Sequence, residues 1–237
     1  MVTHMFFDLD NTFYDYNHAN DCATKVALGH MSSYSGIGLL ELNHFYENAK
    51  KEVKLQQNDS ASSHSRLLYF KRMNELIFNE TKIKESIKLN NIFWTIYLKN
   101  MSIFPAVKKL LAKAKDLNII TIVATNLTTD IQLRKLVALG IDESVDYVIT
   151  SEDVGSEKPS AKFVDYLKKV VSYDPKIHQS WFIGDDLNAD LGVGLALDAT
   201  VFIRKGPKKL VGNDQYSRFI DFSELCRRLD TENVEVS

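Results

Sequence analysis

The sequence predicts an α/β protein: a parallel sheet of about five strands flanked by helices, with an all-helical domain inserted near its start. Three observations predict this class. Beyond residue 105, short apolar runs alternate with helix-period segments, as in strand–helix–strand units on a parallel sheet. From about 17 to 100 no β-branched run occurs, and apolar residues recur at three- and four-residue spacing instead. One buried strand, residues 4–9, precedes that helical block, so the sheet is interrupted in sequence.

Each element follows in order. "HMFFDL" (4–9) is the first strand, apolar on both faces and ending in acids. In "LLELNHFYENAKKEVKL" (39–55), Leu39, Leu42, Phe45, Tyr46, Ala49 and Val53 hold amphipathic helix spacing. "SRLLYFKRMNELIF" (65–78) repeats it, and "NNIFWTIYLKNM" (90–101) is a third helix; "QNDSASSHS" is the polar joint between the first two. Next comes "PAVKKLLAKAKDLN", expected to be a helix with Pro105 in its first turn, then the strand "IITIVAT" (119–125). "TTDIQLRKLVALG" is a helix capped by Thr128 or Thr129 and closed by Gly140. "VDYVITS" (145–151) is a strand and "KPSAKFVDYLKKVV" (158–171) a helix with Ser160 as cap. "SWFIGDD" (180–186) is a strand, "ADLGVGLALDA" a helix loosened by glycine, and "TVFIR" (200–204) the last strand. "DFSELCRRL" (221–229) is a final helix with Asp221 and Glu224 at capping-box spacing, and the tail beyond it is expected to be disordered.

Composition narrows the function classes. The 237 residues are 45% hydrophobic and 25% charged, ordinary for a globular protein. A net charge of −2 gives no bulk electrostatic attraction to nucleic acid or an anionic membrane. The densest basic cluster, "RKGPKK" (204–209), holds Gly206 and Pro207 and is expected to be a solvated turn. Two distant cysteines and six scattered histidines form no zinc spacing. "MVTHMFFDLD" meets acid too early for a signal peptide, and no apolar run approaches a membrane span. The expectation is a reduced, cytoplasmic protein.

The strand ends carry the chemistry, because ligands of such sheets bind beyond the carboxyl ends of the strands. The first strand ends in Asp8, Asp10, Asn11 and Thr12, and the second in Thr125 and Asn126. "SEDVGSEKPS" with Lys158 follows the third, and "GDDLNAD" with Asp185, Asp186 and Asp190 the fourth. Singly, each has an ordinary explanation: Asp–Asn–Thr is common turn chemistry, Thr–Asn caps helices, and a lone lysine is usually solvated. Together they place acids, a hydroxyl and a lysine at one edge. Crowded carboxylates stay ionised at neutral pH if a cation joins them, and oxygen-only ligands suit Mg²⁺. Lys158 and Thr125 would face an anionic ligand. Since a carboxylate can be a nucleophile, the set reads as phosphoryl transfer with Mg²⁺.

These residues resemble the haloacid dehalogenase superfamily of hydrolases. "DLDNT" (8–12) matches its first motif, the Thr125–Asn126 strand end its second, the lysine of "SEDVGSEKP" its third and "FIGDDLNAD" its fourth. The resemblance implies a Rossmann-like core over 1–15 and 102–237 and a helical cap domain over 16–101. It implies Asp8 as nucleophile and Asp10 as general acid and base. Asn11, Thr125 and the Asn126 backbone would bind the transferred phosphoryl group, with Lys158 neutralising charge on it and on Asp8. Mg²⁺ would be held by Asp8, the Asp10 carbonyl and Asp185, with Asp186 assisting; Asp190 would orient Lys158 or a metal-bound water. Phe13 departs from the aliphatic residue common there. Dehalogenases lack an acid at the Asp10 position, and an alkyl chloride needs no proton on leaving, so Asp10 argues for phosphate-ester hydrolysis.

The expected substrate is a small phosphomonoester, a nucleoside monophosphate first, by similarity to nucleotidases and acylneuraminate-phosphate phosphatases. A sugar-phosphate phosphatase or phosphomutase is the alternative, and a non-catalytic phosphate-binding module is disfavoured by the intact motif set. No nucleic-acid or membrane partner is expected. Tyr14, Tyr16 and His18 would either contact the substrate or pack the hinge. Arg66 is a candidate for a second anionic group, although an exposed helix arginine is the default for such a residue.

Overall fold

The computed structural model describes residues 1–58, 60–205 and 215–234. The chain divides into two compact units, Met1–Asp15 with Ser102–Ser237, and Tyr16–Met101. Along the chain the elements are β1 (Val2–Phe7), α1 (Tyr16–Ser35), α2 (Leu39–Gln57), α3 (Arg66–Phe78), α4 (Ile83–Lys99) and α5 (Val107–Asp116). There follow β2 (Ile120–Thr125), α6 (Thr129–Leu139), β3 (Tyr147–Thr150), α7 (Ser151–Val154) and α8 (Ala161–Val170). The chain continues through β4 (Gln179–Gly184), α9 (Ala189–Ala196), β5 (Thr200–Arg204), β6 (Ser217–Phe219) and α10 (Phe222–Val234).

The strands form one parallel sheet in the order β3-β2-β1-β4-β5-β6. Side chains alternate across it. Phe6, Ile122, Ala124, Phe182, Val201 and Ile203 pack with Phe163 and Leu167 of α8, with Val193 of α9 and with Leu197 just past its end. On the neighbouring positions, Phe7 meets Phe13, and Phe13 meets Phe222 of α10. Burial on both faces explains why the strands read as nearly continuous apolar runs. Gly194 permits α9 to lie close to the sheet, since a Cβ there would fall 2.5 Å from Val201 Cγ2. Glycine in this helix is therefore a packing device. The strand order reverses between β1 and β4, which sets a crevice where both end.

The ladder stops earlier than sequence periodicity implies. β1 ends at Phe7 and β4 at Gly184, so the acids lie beyond the strands, although the Asp8 N–H still donates to the Ile183 carbonyl at 2.9 Å. β3 ends at Thr150, whose hydroxyl and Asp153 form a capping box that opens α7. A sixth strand, β6, pairs with β5; three residues are too few to show a period. Pro105 is not in the first turn of α5, which begins at Val107 after a left-handed Ala106. The Phe104 N–H is still tied to the Phe13 carbonyl at 2.8 Å, which keeps the preceding segment out of the helix. Thr128 occupies the cap position of α6 without a side-chain cap bond, whereas Ser160 caps α8 by accepting from the Phe163 N–H.

The last helix runs to Val234, past the expected end at 229. Trp181 Nε1 donates to Glu232 at 3.2 Å and Arg228 pairs with Glu232 at 2.9 Å, which anchors the extra turn. Residues 235–237 of the tail, and 206–209 of the basic cluster, lie outside the described residues. Arg204 of that cluster is not in a solvated turn: it ends β5, stacks 3.5 Å over the Phe104 ring and donates to the Asn11 carbonyl at 3.0 Å. Among the described residues no helix is long and apolar enough to cross a membrane.

Every element described in the Tyr16–Met101 unit is helical, including a short 3₁₀ turn at Ala61–His64. α1 is not among the segments expected from periodicity. Its buried side is mostly alanine (Ala19, Ala23, Ala27), joined by Leu28 and Met31 only in its second half, which gives little hydrophobic contrast with its polar face. α4 likewise begins at Ile83, ahead of the expected 90. Arg66 contradicts the exposed-helix expectation and is buried. Its guanidinium donates to the His64 carbonyl (2.9 Å), the Tyr16 hydroxyl (2.6 Å) and Asn20 Oδ1 (3.2 Å), with the Tyr69, Phe93 and Trp94 rings 5.1–5.8 Å away. A planar cation on aromatic faces with three bonded acceptors is a stable way to desolvate an arginine.

Candidate active site

The site is built at the carboxyl ends of β1, β2 and β4 and on the loop after α7. After Asp10 the backbone turns through a left-handed Asn11 (φ 61°), a conformation asparagine tolerates, and this returns Thr12 beneath Asp8. Asp8 is buried. One of its oxygens accepts from Lys158 Nζ at 2.6 Å and the other from the Thr12 hydroxyl at 3.1 Å. Lys158 is also buried, which corrects the default of a solvated lysine; it lies in the loop before α8 rather than opening that helix. Its backbone N–H donates to Asn126 Oδ1 at 2.9 Å, which ties the third segment to the second.

Asp190, 1% exposed, is the hub on the β4 side. Its Oδ1 accepts from Lys158 Nζ at 2.7 Å, and its Oδ2 from the N–H groups of Asp185 and Asp186 at 2.9 and 3.0 Å. Gly184 makes room for this, because a Cβ there would sit 2.3 Å from Asp190 Oδ2. Carboxylate oxygens of Asp8, Asp185 and Asp190 lie within 4.8 Å of one another. Asp186 turns an oxygen to the N–H groups of Asn188 and Ala189 (2.7 and 2.8 Å), at the start of α9. Asp10 also turns elsewhere, as described below.

Charge crowding is visible in the titration directions. Burial foremost pushes the Asp8 carboxyl well above the usual range; Lys158 draws it back, and Asp190, Asp185 and Asp10 raise it further. Burial, then Asp190, lifts Asp185 to about 7 against the opposing pull of Lys158. For Lys158, burial pulls the ammonium down, but Asp190 and Asp8 together hold it above the ordinary lysine value. The contacts of 2.6 and 2.7 Å favour the ionised pair. The donor set fits a hard divalent cation: it is all oxygen and carries more negative charge than Lys158 neutralises.

Thr125, 1% exposed, ends β2, and its hydroxyl oxygen accepts from Gln132 Nε2 at 2.6 Å. The same amide donates to the Asn126 carbonyl at 2.8 Å. Gln132 thereby shapes the second segment from α6, one of three contributions that sequence reasoning did not anticipate. Leu127 follows at φ 113°, a costly conformation for a non-glycine residue, with its N–H held by Ser151 Oγ at 2.9 Å. The second unanticipated residue is Lys135, also on α6 and fully buried. Its Nζ lies 2.8 Å from both Asp10 oxygens, and the Tyr14 hydroxyl also donates to Asp10 Oδ1. The third is Arg204, which holds the Asn11 carbonyl. Nothing in local sequence marks these: a glutamine and a lysine on an amphipathic helix look like its polar face.

Of the aromatic residues after the first motif, Tyr14 is buried with its hydroxyl on Asp10, and Tyr16 bonds Arg66 within the helical unit. His18 is exposed.

Residues 5–202 match the family model described as haloacid dehalogenase-like hydrolase. The chain belongs to this family. At 35% identity it is similar to the ribulose-1,5-bisphosphate 5-phosphatase of Halopiger xanaduensis, over 81% of this chain and 80% of that one. The glyceraldehyde 3-phosphate phosphatase of Methanothermobacter thermautotrophicus is 28% identical over the same shares. Among solved structures, the HAD phosphatase of Thermococcus onnurineus superimposes with a TM-score of 0.70 at 21% identity, covering 96% of this chain and 98% of that one. That likeness speaks for the fold of this haloacid dehalogenase-like hydrolase; its chemistry rests on the residues above.

Proposed function

We propose that this hydrolase is a Mg²⁺-dependent phosphatase of small phosphomonoesters acting through an aspartyl-phosphate. The observation that carries the reading is the buried Asp8–Lys158–Asp190 chain of contacts beside Asp185 at adjacent strand ends. In the first step Asp8 Oδ attacks phosphorus, the ester P–O bond breaks, and the leaving alkoxide takes a proton from the Asp10 carboxyl. In the second, water attacks the same phosphorus and passes a proton to Asp10. The bond to Asp8 then breaks with its electron pair returning to the carboxylate, and orthophosphate leaves. Lys158 offsets charge on the nucleophile and the phosphoryl oxygens. The Thr125 hydroxyl accepts from Gln132 at 2.6 Å and donates at a long 3.3 Å to the Asn126 carbonyl, a contact it would exchange for a phosphoryl oxygen, with Asn11 and the Asn126 backbone as further partners. Mg²⁺ would be held by Asp8, the Asp10 carbonyl and Asp185, with Asp186 beside them. When bound it supplies charge neutralisation between the nucleophile and an anionic substrate.

Residues 16–101 would serve as the cap that selects substrate and excludes water. The relatives named above act on sugar phosphates, which supports phosphorylated sugars of three to five carbons ahead of nucleoside monophosphates. Hydrolysis of p-nitrophenyl phosphate with and without Mg²⁺, followed by a panel of sugar phosphates and nucleotides, tests the reading. Turnover is expected to vanish in Asp8→Asn and with chelator. Undiminished turnover in either would overturn the mechanism, and an isomerised product dependent on a bisphosphate would identify a mutase.

A further inference from the structure

We propose that Lys135, together with Tyr14, is a positioning residue for Asp10, the carboxyl group that would carry protons in the reaction. The inference rests on the phosphatase reading above. Lys135 sits on α6, one turn after Gln132, with its side chain fully removed from solvent. An ammonium has only protons to give, and this one gives them to both oxygens of Asp10 at 2.8 Å each. The Tyr14 hydroxyl takes Oδ1 from another side, and the Lys135 ammonium lies 6.0 Å from the centre of the Tyr14 ring. Tyr14 is itself fixed, since it is fully buried and bridges to both Asp10 and Ile103 in backbone pairing. An aspartate has two side-chain torsions, and two donors on its oxygens from different elements hold both in place.

Stability is a poor explanation for this arrangement. Desolvating a lysine is expensive, and its partner keeps 26% of its side chain exposed, so the pair has a fully buried cation and a partly solvated anion. An apolar residue on α6 would pack there without that penalty. What the lysine supplies is a fixed address for the Asp10 carboxyl group. That matters for a group that must meet first a leaving oxygen and then a water, because proton transfer requires hydrogen-bond reach to each.

The test compares two esters in the full-length protein with Mg²⁺. The alkoxide of glycerol 3-phosphate must be protonated as it leaves, whereas the phenolate of 2,4-dinitrophenyl phosphate leaves without help. In Lys135→Met, kcat/KM for glycerol 3-phosphate is expected to fall about 100-fold, the lower range of a general-acid contribution. For the dinitrophenyl ester it should fall less than about threefold, since that ester's first step does not use Asp10 as acid. Tyr14→Phe removes a single hydroxyl and is expected to show the same contrast at smaller size, which keeps the test in hand if Lys135→Met does not fold. A parallel loss on both esters would indicate a structural role and overturn the inference, as would no loss on either. If the unmodified protein hydrolyses neither ester, the phosphatase reading fails and this inference falls with it.

Discussion

Replacing Lys158 by methionine removes the buried ammonium between Asp8 and Asp190 while keeping most of the side-chain volume. That ammonium lies 2.6 Å from Asp8 and 2.7 Å from Asp190, and these partners' side chains are only 10% and 1% exposed. Removing one side of a buried ion pair typically destabilises by about 3–5 kcal/mol, because the remaining charge has no water to turn to. For a chain of this length each kcal/mol moves Tm by about 2–4 °C, so the variant should melt roughly 6–20 °C lower at about pH 8 in chelator. The pH dependence has a definite sign. Lys158 is held above its ordinary value, so in the unmodified protein its contribution is fully present below the unfolded lysine pKa and constant between about pH 5 and 8. In the variant, Asp8 has no lysine to draw it down, while burial still pushes it up. A group raised in the folded state binds its proton there first, so folding is favoured as pH falls. The deficit should therefore shrink from about pH 8 towards 5, as read by thermal melts at each pH. A deficit below about 1 kcal/mol, or one that grows on acidification, would refute the buried-pair reasoning.

Other consequences follow from the same geometry. Gly184→Ala places a Cβ 2.3 Å from Asp190 Oδ2, so Asp190 must move off the Asp185 and Asp186 N–H groups. A stability loss of about 1–3 kcal/mol is expected in urea melts, with a larger loss of turnover than Gly29→Ala, whose Cβ meets nothing within 4 Å. Gln132→Leu strips a donor from both Thr125 and the Asn126 carbonyl and should raise the inhibition constant for inorganic phosphate about tenfold; an unchanged constant would dissociate Gln132 from phosphate binding. Asp185, lifted to about 7 by burial and Asp190, must release its proton to ligate. Calorimetric Mg²⁺ affinity should therefore weaken by up to about tenfold per pH unit below 7 and level off above it, and a flat profile would remove Asp185 from the metal set.

Sequence alone determined the fold class and the order of the chemical parts. Apolar runs and their spacing are local, and a strand that ends in acids is recognisable without its neighbours. Asp8, Thr125 and Asp185 stand at or just past the end of a strand, and Lys158 follows in the connection after β3, so each was legible by its place in the strand–helix alternation. The element with the weakest pattern, α1, escapes such a reading because its buried face is mostly alanine. Only the tertiary structure decided which side chains meet. Asp190 joins Lys158 to two backbone N–H groups across 32 residues, and Lys135 reaches Asp10 across 125. Arg66, ordinary on a helix surface, is buried among rings from α3 and α4. Burial is a property of what packs against a residue, and a helix read by itself does not reveal which of its polar side chains the rest of the protein will enclose.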